Sequence, residues 1–269
     1  MNLIEFFGLN IKPRLTAGKR MWKPEPTGRL FDNIYALRDK DVDLFLIKDC
    51  EGGYIAIDSG YKNSANVRAG RKQFGIASEK VHTVLLTHLD IDHAGGMDAN
   101  SACVFPNARL YIGAQEEKYL TGCFFRKKIL FHNCRLPVSL RAYQTLENGE
   151  VVEPGGQRIE AVFTPGHTLG HTAYLLNGKY LFSGDCIIAN QEGGYSFFDF
   201  WNADSELNRK TLRILHALCE ERGVEKVVTS HSGVVDTEAA FRHIDTSPQW
   251  RARGFVFDKT AEDDPYSHL

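Results

Sequence analysis

The stretch THLDIDHAGG, Thr87 to Gly96, places His88, Asp90, Asp92 and His93 within six consecutive positions and then closes on a glycine pair. Imidazole nitrogens and carboxylate oxygens are the donors that hold zinc, manganese or iron. A metal held this way ionises water and polarises a carbonyl or phosphoryl group, so hydrolysis without a serine or cysteine nucleophile is the chemistry to expect. Capping and turn formation also use aspartate, but they account poorly for four such side chains together. Three further candidates lie far along the chain: His167 in TPGHTLGH, Asp185 in SGDC and His231 in TSHSG. His82, His132, His216, His243 and His268 belong to no such pattern and are expected on solvent-facing or helical surfaces.

Residues so far apart meet only if the elements between them deliver them to one place. NIYALR (33–38), VDLFLIKD (42–49), GYIAIDSG (53–60) and VHTVLLTH (81–88) have the β-branched, apolar character of strands. RLYIG (109–113), QRIEAVFT (157–164), HTAYLLN (171–177), KYLFSGD (179–185) and EKVVTSH (225–231) repeat it, with Asn177-Gly178 as a hairpin turn. NSANVRAGRKQF (63–74) and AQEEKYL (114–120) have helical spacing. DSELNRKTLRILHALCEER (204–222) is the clearest helix, with Asp204 or Ser205 as its cap and leucines at 207, 212, 215 and 218. Every metal-ligand candidate falls at or just beyond a strand end, where a rigid scaffold assembles a site from distant sequence. Residues 121–148 are irregular, and a cap or substrate loop competes there with a surface helix whose basic residues snorkel.

Bulk properties narrow the class. The chain has 269 residues, 43% hydrophobic and 25% charged, with a formal net charge of -2, which is ordinary for a globular protein and unlike a nucleic-acid binder. No signal peptide or membrane-length apolar run is evident. Cys50, Cys103, Cys123, Cys134, Cys186 and Cys219 are scattered without a C-x-x-C pair, so free thiols and a cytoplasmic location are expected. Cys186 is expected to be a small buried residue. No Pro- or Ser-rich linker divides the chain.

With these motifs in place, THLDIDHAGG resembles the H-x-H-x-D-H-x-G-G signature of the metallo-β-lactamase superfamily, and His167, Asp185 and His231 match its later ligand positions in order. The resemblance implies an α/β fold, the αββα sandwich, with the metal site at one edge of two β-sheets. It spans a core of roughly 30–235 within a single domain of 1–269, leaving 236–269 as a C-terminal extension. It also implies two divalent ions: His88, Asp90 and His167 on one, Asp92, His93 and His231 on the other, and Asp185 bridging both. Asp92 and Asp185 would be the catalytic carboxylates around a bridging hydroxide. Asp90 stands where the family has a second histidine, which adds a negative charge and a harder donor and so favours manganese or iron more than an all-histidine site does. Asp90 could instead orient a ligand from outside the coordination sphere. Asp58 in IDSG resembles a family aspartate that orients a ligand loop; as a residue alone it reads equally well as a turn former. His171 is expected to support the site without coordinating. Gly95, Gly96 and Gly166 are expected to permit close backbone approach around the ligand loops.

TPGHTLGHTAY is most similar to the branch of lactonases, glyoxalase II thioesterases and related small-molecule hydrolases, so the substrate implied is a small ester, lactone or thioester. Lactonases of that branch carry a tyrosine soon after the bridging aspartate, whereas here the first is Tyr195. Tyr195, Phe197, Phe198 and Trp201, with Phe200 beside them, either wall an apolar pocket or pack in the core. Arg126, Lys127 and Lys128 are weak candidates for binding the carboxylates of a glutathione substrate. Two alternatives remain: a diiron protein related to the flavodiiron branch, which reacts with oxygen or nitric oxide, and a phosphodiesterase. The flavodiiron branch carries a flavodoxin domain not seen here. No nucleic-acid or membrane partner is expected, and homodimerisation is left open.

Overall fold

The computed structural model describes residues 3–16, 23–129 and 132–248. The first sheet contains β1 (Gly28–Phe31), β2 (Ile34–Asp39), β3 (Val42–Lys48), β4 (Tyr54–Ile57), β5 (Val81–Leu86) and β6 (Arg109–Gly113). After the hairpin β7 (Lys127–Ile129) and β8 (His132–Cys134), β9 (Gln144–Leu146) completes that sheet at its edge. The second sheet is formed by β10 (Val151–Val152), β11 (Ile159–Phe163), β12 (Thr172–Leu176) and β13 (Tyr180–Gly184). A separate hairpin, β14 (Ile187–Asn190) and β15 (Gly193–Ser196), precedes the last two strands of the second sheet, β16 (Lys226–Thr229) and β17 (Gly233–Asp236). The pairs β4–β5, β5–β6, β6–β9 and β13–β16 are parallel; the remaining neighbours are antiparallel.

Period-two alternation sorts these strands into layers. In β3, Phe45 and Ile47 enter a core shared with Tyr174, Leu176 and Phe182 of the second sheet. The intervening Leu44 and Leu46 face the opposite side, where they join Val67 of the helix Ala65–Gln73. Ala173 and Leu175 of β12 likewise turn outward onto Leu212, Leu215 and Cys219 of the helix Ser205–Arg222. Helix, sheet, sheet and helix therefore stack in that order: the αββα sandwich.

Local chemistry holds the elements where the sequence places them. Ser64 accepts a hydrogen bond from the Val67 amide at 3.1 Å and caps the first of these helices. Asp204 caps the second, accepting from Leu207 at 2.9 Å, and Gly223 ends it at a φ of 65°. Asn177 and Gly178 both take positive φ, as the turn between β12 and β13 requires.

Segment 121–148 departs from the surface-helix expectation, since its described residues form the β7–β8 hairpin and the edge strand β9. Strands β1, β10, β14, β15 and β17 lie outside the sequence expectations, as do the helical turns at Leu3–Phe6 and Lys12–Thr16. Of the expected extension beyond 235, the helix Thr237–Ala240 and the chain to 248 are described; the rest lies outside the described residues. Among the described residues no helix is long and apolar enough to cross a membrane.

Candidate metal centre

Four strand ends converge. β5 runs into His88 and the short helix Ile91–Ala94, which carries Asp92 and His93. β11 leads to the loop bearing His167, β13 ends one residue before Asp185, and β16 ends two before His231. All of these side chains are buried, and Asp90 is 18% exposed. Around Asp185, Oδ2 lies 3.2 Å from His231 Nε2 and 3.5 Å from His167 Nε2, while Oδ1 lies 3.3 Å from His93 Nε2. Asp90 Oδ2 is 3.2 Å from His167 Nε2 and 3.6 Å from His88 Nε2. Asp92 Oδ2 is 3.4 Å from His231 Nε2 and 3.6 Å from His93 Nε2.

Each imidazole is oriented through its other nitrogen. The Thr87 hydroxyl donates to Asp58 Oδ2 at 2.9 Å and thus accepts from His88 Nδ1 at 3.0 Å. His93 Nδ1 donates to that same oxygen, Asp58 Oδ2, at 2.8 Å. His231 Nδ1 donates to the Asp41 carbonyl, and His167 Nδ1 lies 3.3 Å from Asn202 Oδ1. These contacts select the tautomer in which Nε2 faces the centre, as metal-binding histidines require. Asp58 also accepts the Thr87 amide at 2.8 Å from a backbone with φ of 64°. It therefore positions the ligand loop.

His171 takes a supporting part. Its Nδ1 is 2.7 Å from Thr164 Oγ1, and its Nε2 accepts the Asp185 amide at 3.1 Å. Burial, with His88 and His167 nearby, holds it well below the usual histidine pKa. Glu116, which the sequence did not single out, clamps two ligand loops. Its Oε1 accepts the Leu89 amide at 2.9 Å and its Oε2 accepts the Thr168 hydroxyl at 2.7 Å. Burial raises its pKa to about 7. Nothing in AQEEKYL distinguishes a buried acid from its exposed neighbours. Glycines let the ligand loops close up: a Cβ on Gly96 would meet Ser59 O at 2.2 Å, one on Gly95 would meet Lys62 N at 2.5 Å, and one on Gly166 would meet Asn208 Cα at 2.4 Å.

Among the described residues, two cations reach this centre. Arg126 donates from Nε to Asp90 Oδ1 at 2.7 Å and from Nη2 to Asp90 Oδ2 at 2.8 Å. Lys12, from the N-terminal segment, donates to Asp92 Oδ2. Although burial opposes ionisation, Arg126 and His167 hold Asp90 well below the usual carboxylate range. Burial likewise opposes the charge on Asp185, but His231 and His93 outweigh it and keep that carboxyl well below its ordinary pKa. Burial also disfavours charged His93 and His231. The surrounding carboxylates, Asp185 foremost, nevertheless hold His93 well above its usual value and raise His231 to about 9. Burial and Arg126 lower His167 to about 3, so its imidazole is neutral.

The donor set fits divalent ions. His88, Asp90 and His167 form one group, His88, His93 and Asp185 a second, and Asp92, His93 and His231 a third, each with ligand atoms within 4.8 Å of one another. His88 Nε2, His93 Nε2 and Asp185 Oδ1 are buried and make no hydrogen bond among the described residues, a condition that a bound ion would relieve.

The aromatic candidates separate. The Phe197 ring lies 4.6 Å from that of His167 and 6.0 Å from that of His231, while Phe198 packs edge-on against Phe197. Both are buried with Ile188. Trp201, half-buried, lies 5.7 Å from Phe7 and 5.9 Å from the Lys12 ammonium. Tyr195 instead stacks on His243 at 4.8 Å and donates to Glu192 at 3.1 Å. Of the basic candidates, Arg126 is turned inward to Asp90; the side chains of Lys127 and Lys128 lie outside the described residues. Cys186 is fully buried, and burial raises its thiol pKa far above the ordinary value.

A hydroxyacylglutathione hydrolase of Buchnera aphidicola subsp. Schizaphis graminum is 26% identical over 189 residues, 68% of this chain and 64% of that protein. An atrochrysone carboxyl ACP thioesterase of Aspergillus fumigatus is 29% identical over 145 residues, 52% of this chain and 38% of its own length. Thus the matches span less than two thirds of these relatives. MEM-A1, a subclass B3 metallo-beta-lactamase isolated from a soil metagenome library, superposes with a TM-score of 0.58 at 21% identity, over 78% of this chain and 81% of its own. The family model for the metallo-beta-lactamase superfamily matches residues 38–231, from the end of β2 to the last histidine of the centre, and the chain belongs to that superfamily.

Proposed function

We propose that the protein is a dinuclear metal-dependent hydrolase that cleaves a small carboxylic thioester, ester or lactone. The observation that carries this reading is the position of Asp185, whose two oxygens approach His93 on one side and His167 and His231 on the other. In this reading His88, Asp90 and His167 would hold one ion and Asp92, His93 and His231 a second, with Asp185 lying between the two groups. When bound, such ions supply an ionised water as nucleophile and Lewis acidity for the developing oxyanion. The chain's own residues do the rest. Asp58, Thr87 and the Asp41 carbonyl fix three of the four imidazoles. Asp92 is a catalytic carboxylate in this reading, and Lys12 holds its Oδ2. Phe197 covers His167 and His231 with an apolar ring, which excludes bulk water from that side.

The relatives named as a hydroxyacylglutathione hydrolase and a thioesterase support an acyl carbonyl as the centre attacked. The test is metal analysis of protein purified without added metal, followed by a panel of thioesters, lactones and phosphodiesters. About two ions per chain and metal-dependent turnover of an acyl substrate are expected. Cleavage of phosphodiesters alone, or iron-dependent oxygen uptake without hydrolysis, would overturn the reading.

A further inference from the structure

Asp90 occupies the N-cap position of the helix Ile91–Ala94, yet its side chain makes no capping bond. Both oxygens are instead taken by the guanidinium fork of Arg126, which is 6% exposed. Arg126 is itself fixed at the mouth of the β7–β8 hairpin, where its amide donates to the Cys134 carbonyl at 2.9 Å. Its Nη2 lies 3.2 Å from His167 Nε2. Guanidinium has donors and no acceptor, so an ion at His167 Nε2 would replace this contact and leave the two bonds to Asp90. One cation thus touches two of the three donors in the group of His88, Asp90 and His167.

We infer that Arg126 is a positioning residue that makes Asp90 a charge-compensated replacement for a histidine ligand. This inference rests on the reading of His88, Asp90 and His167 as a metal subsite. An aspartate in place of a neutral imidazole adds one negative charge, and a bidentate arginine returns the local sum to that of the imidazole site. The fork holds the carboxylate plane so that Oδ2 points at His88 and His167. Asp90 and Arg126 therefore act as one unit. A histidine introduced at position 90 alone would face a buried guanidinium without its counter-charge, a costly arrangement. Lys12 cannot supply that counter-charge, because it is a second cation and is bonded to Asp92.

The experiment is a double-mutant cycle on metal binding, with Asp90→His, Arg126→Met and the pair. Zinc affinity is measured by chelator competition, and the visible spectrum of the cobalt-loaded protein reports ligand geometry. Asp90→His should weaken zinc binding when Arg126 is present and should not weaken it in the Arg126→Met background, with a coupling of at least roughly tenfold. Additive effects, with coupling below about twofold, overturn the inference. The milder Asp90→Asn, measured in the parent and in the Arg126→Met background, gives the same comparison should a histidine at 90 prevent folding. Arg126→Lys keeps the charge, so Asp90→His should still weaken zinc binding in that background; zinc binding left unweakened there also overturns the inference. A parent protein that binds no metal defeats the metal-centre reading itself, whereas additivity in a metal-loaded parent defeats the role of Arg126 alone.

Discussion

Two of the histidines join Arg126 and Lys12 in neutralising the carboxylates Asp90, Asp92 and Asp185. His88 and His167 are neutral, whereas His93 and His231 are held protonated by Asp185 and its neighbours. Ligation at Nε2 therefore displaces a proton from each of the last two. Metal loading at pH 7.5 should release roughly two protons per chain, read by titration calorimetry in buffers of different ionisation heat. Heats independent of buffer would contradict that assignment. Because Asp185 is central to both halves of the site, Asp185→Ala should lose at least one metal per chain and nearly all hydrolysis. Two retained ions with near-normal turnover would remove the dinuclear reading.

At the scale of elements, the loop after β5 and the loop after β11 are held together by Glu116, just ahead of the helix Glu117–Leu120. Its pKa rises from 4.5 to about 7 because it is buried. In that interval the folded state binds the extra proton, so the stability of the metal-free protein falls as pH rises through it. The loss should be about 3 kcal/mol between pH 4.5 and pH 7.5. Glu116→Gln keeps the shape, and the Thr168 hydroxyl can rotate to accept from the amide. Urea unfolding of the metal-free variant should show most of that slope gone. An unchanged slope would mean that Glu116 does not titrate in this range.

Across the whole molecule, the hairpin β14–β15 leads into Phe197, whose ring lies against His167 and His231. Phe198 is 2% exposed and packs in a cluster with Ile188 and Phe197. Phe198→Ala should cost about 3–5 kcal/mol of stability. Trp201 is half-buried beside Phe7 and Lys12, so Trp201→Ala should raise KM with a smaller loss of stability. Thermal melts and kinetics on both variants check this division. A Trp201 variant that melts early with unchanged KM would place it with the core residues.

Much of this was legible in the chain itself. Strands β2 to β6, β11 to β13 and β16 and the helices Ala65–Gln73 and Ser205–Arg222 follow from period-two and helical patterns, capping and the Asn177-Gly178 turn. Those signals depend on near neighbours alone. The ligand candidates were legible because they sit at strand ends, and the topology then carries them to one edge. Tyr195 shows the limit: the sequence left it either walling an apolar pocket or packing in the core, and the fold turned it to His243 and Glu192. The partners of Asp90 and Asp92 were decided by tertiary structure. Arg126 and Lys12 lie 36 and 80 positions from the carboxylates they neutralise, and no local pattern predicts which surface-like cation is drawn inward. Burial makes that choice, because a carboxylate taken from water must find a counter-charge wherever the fold brings one.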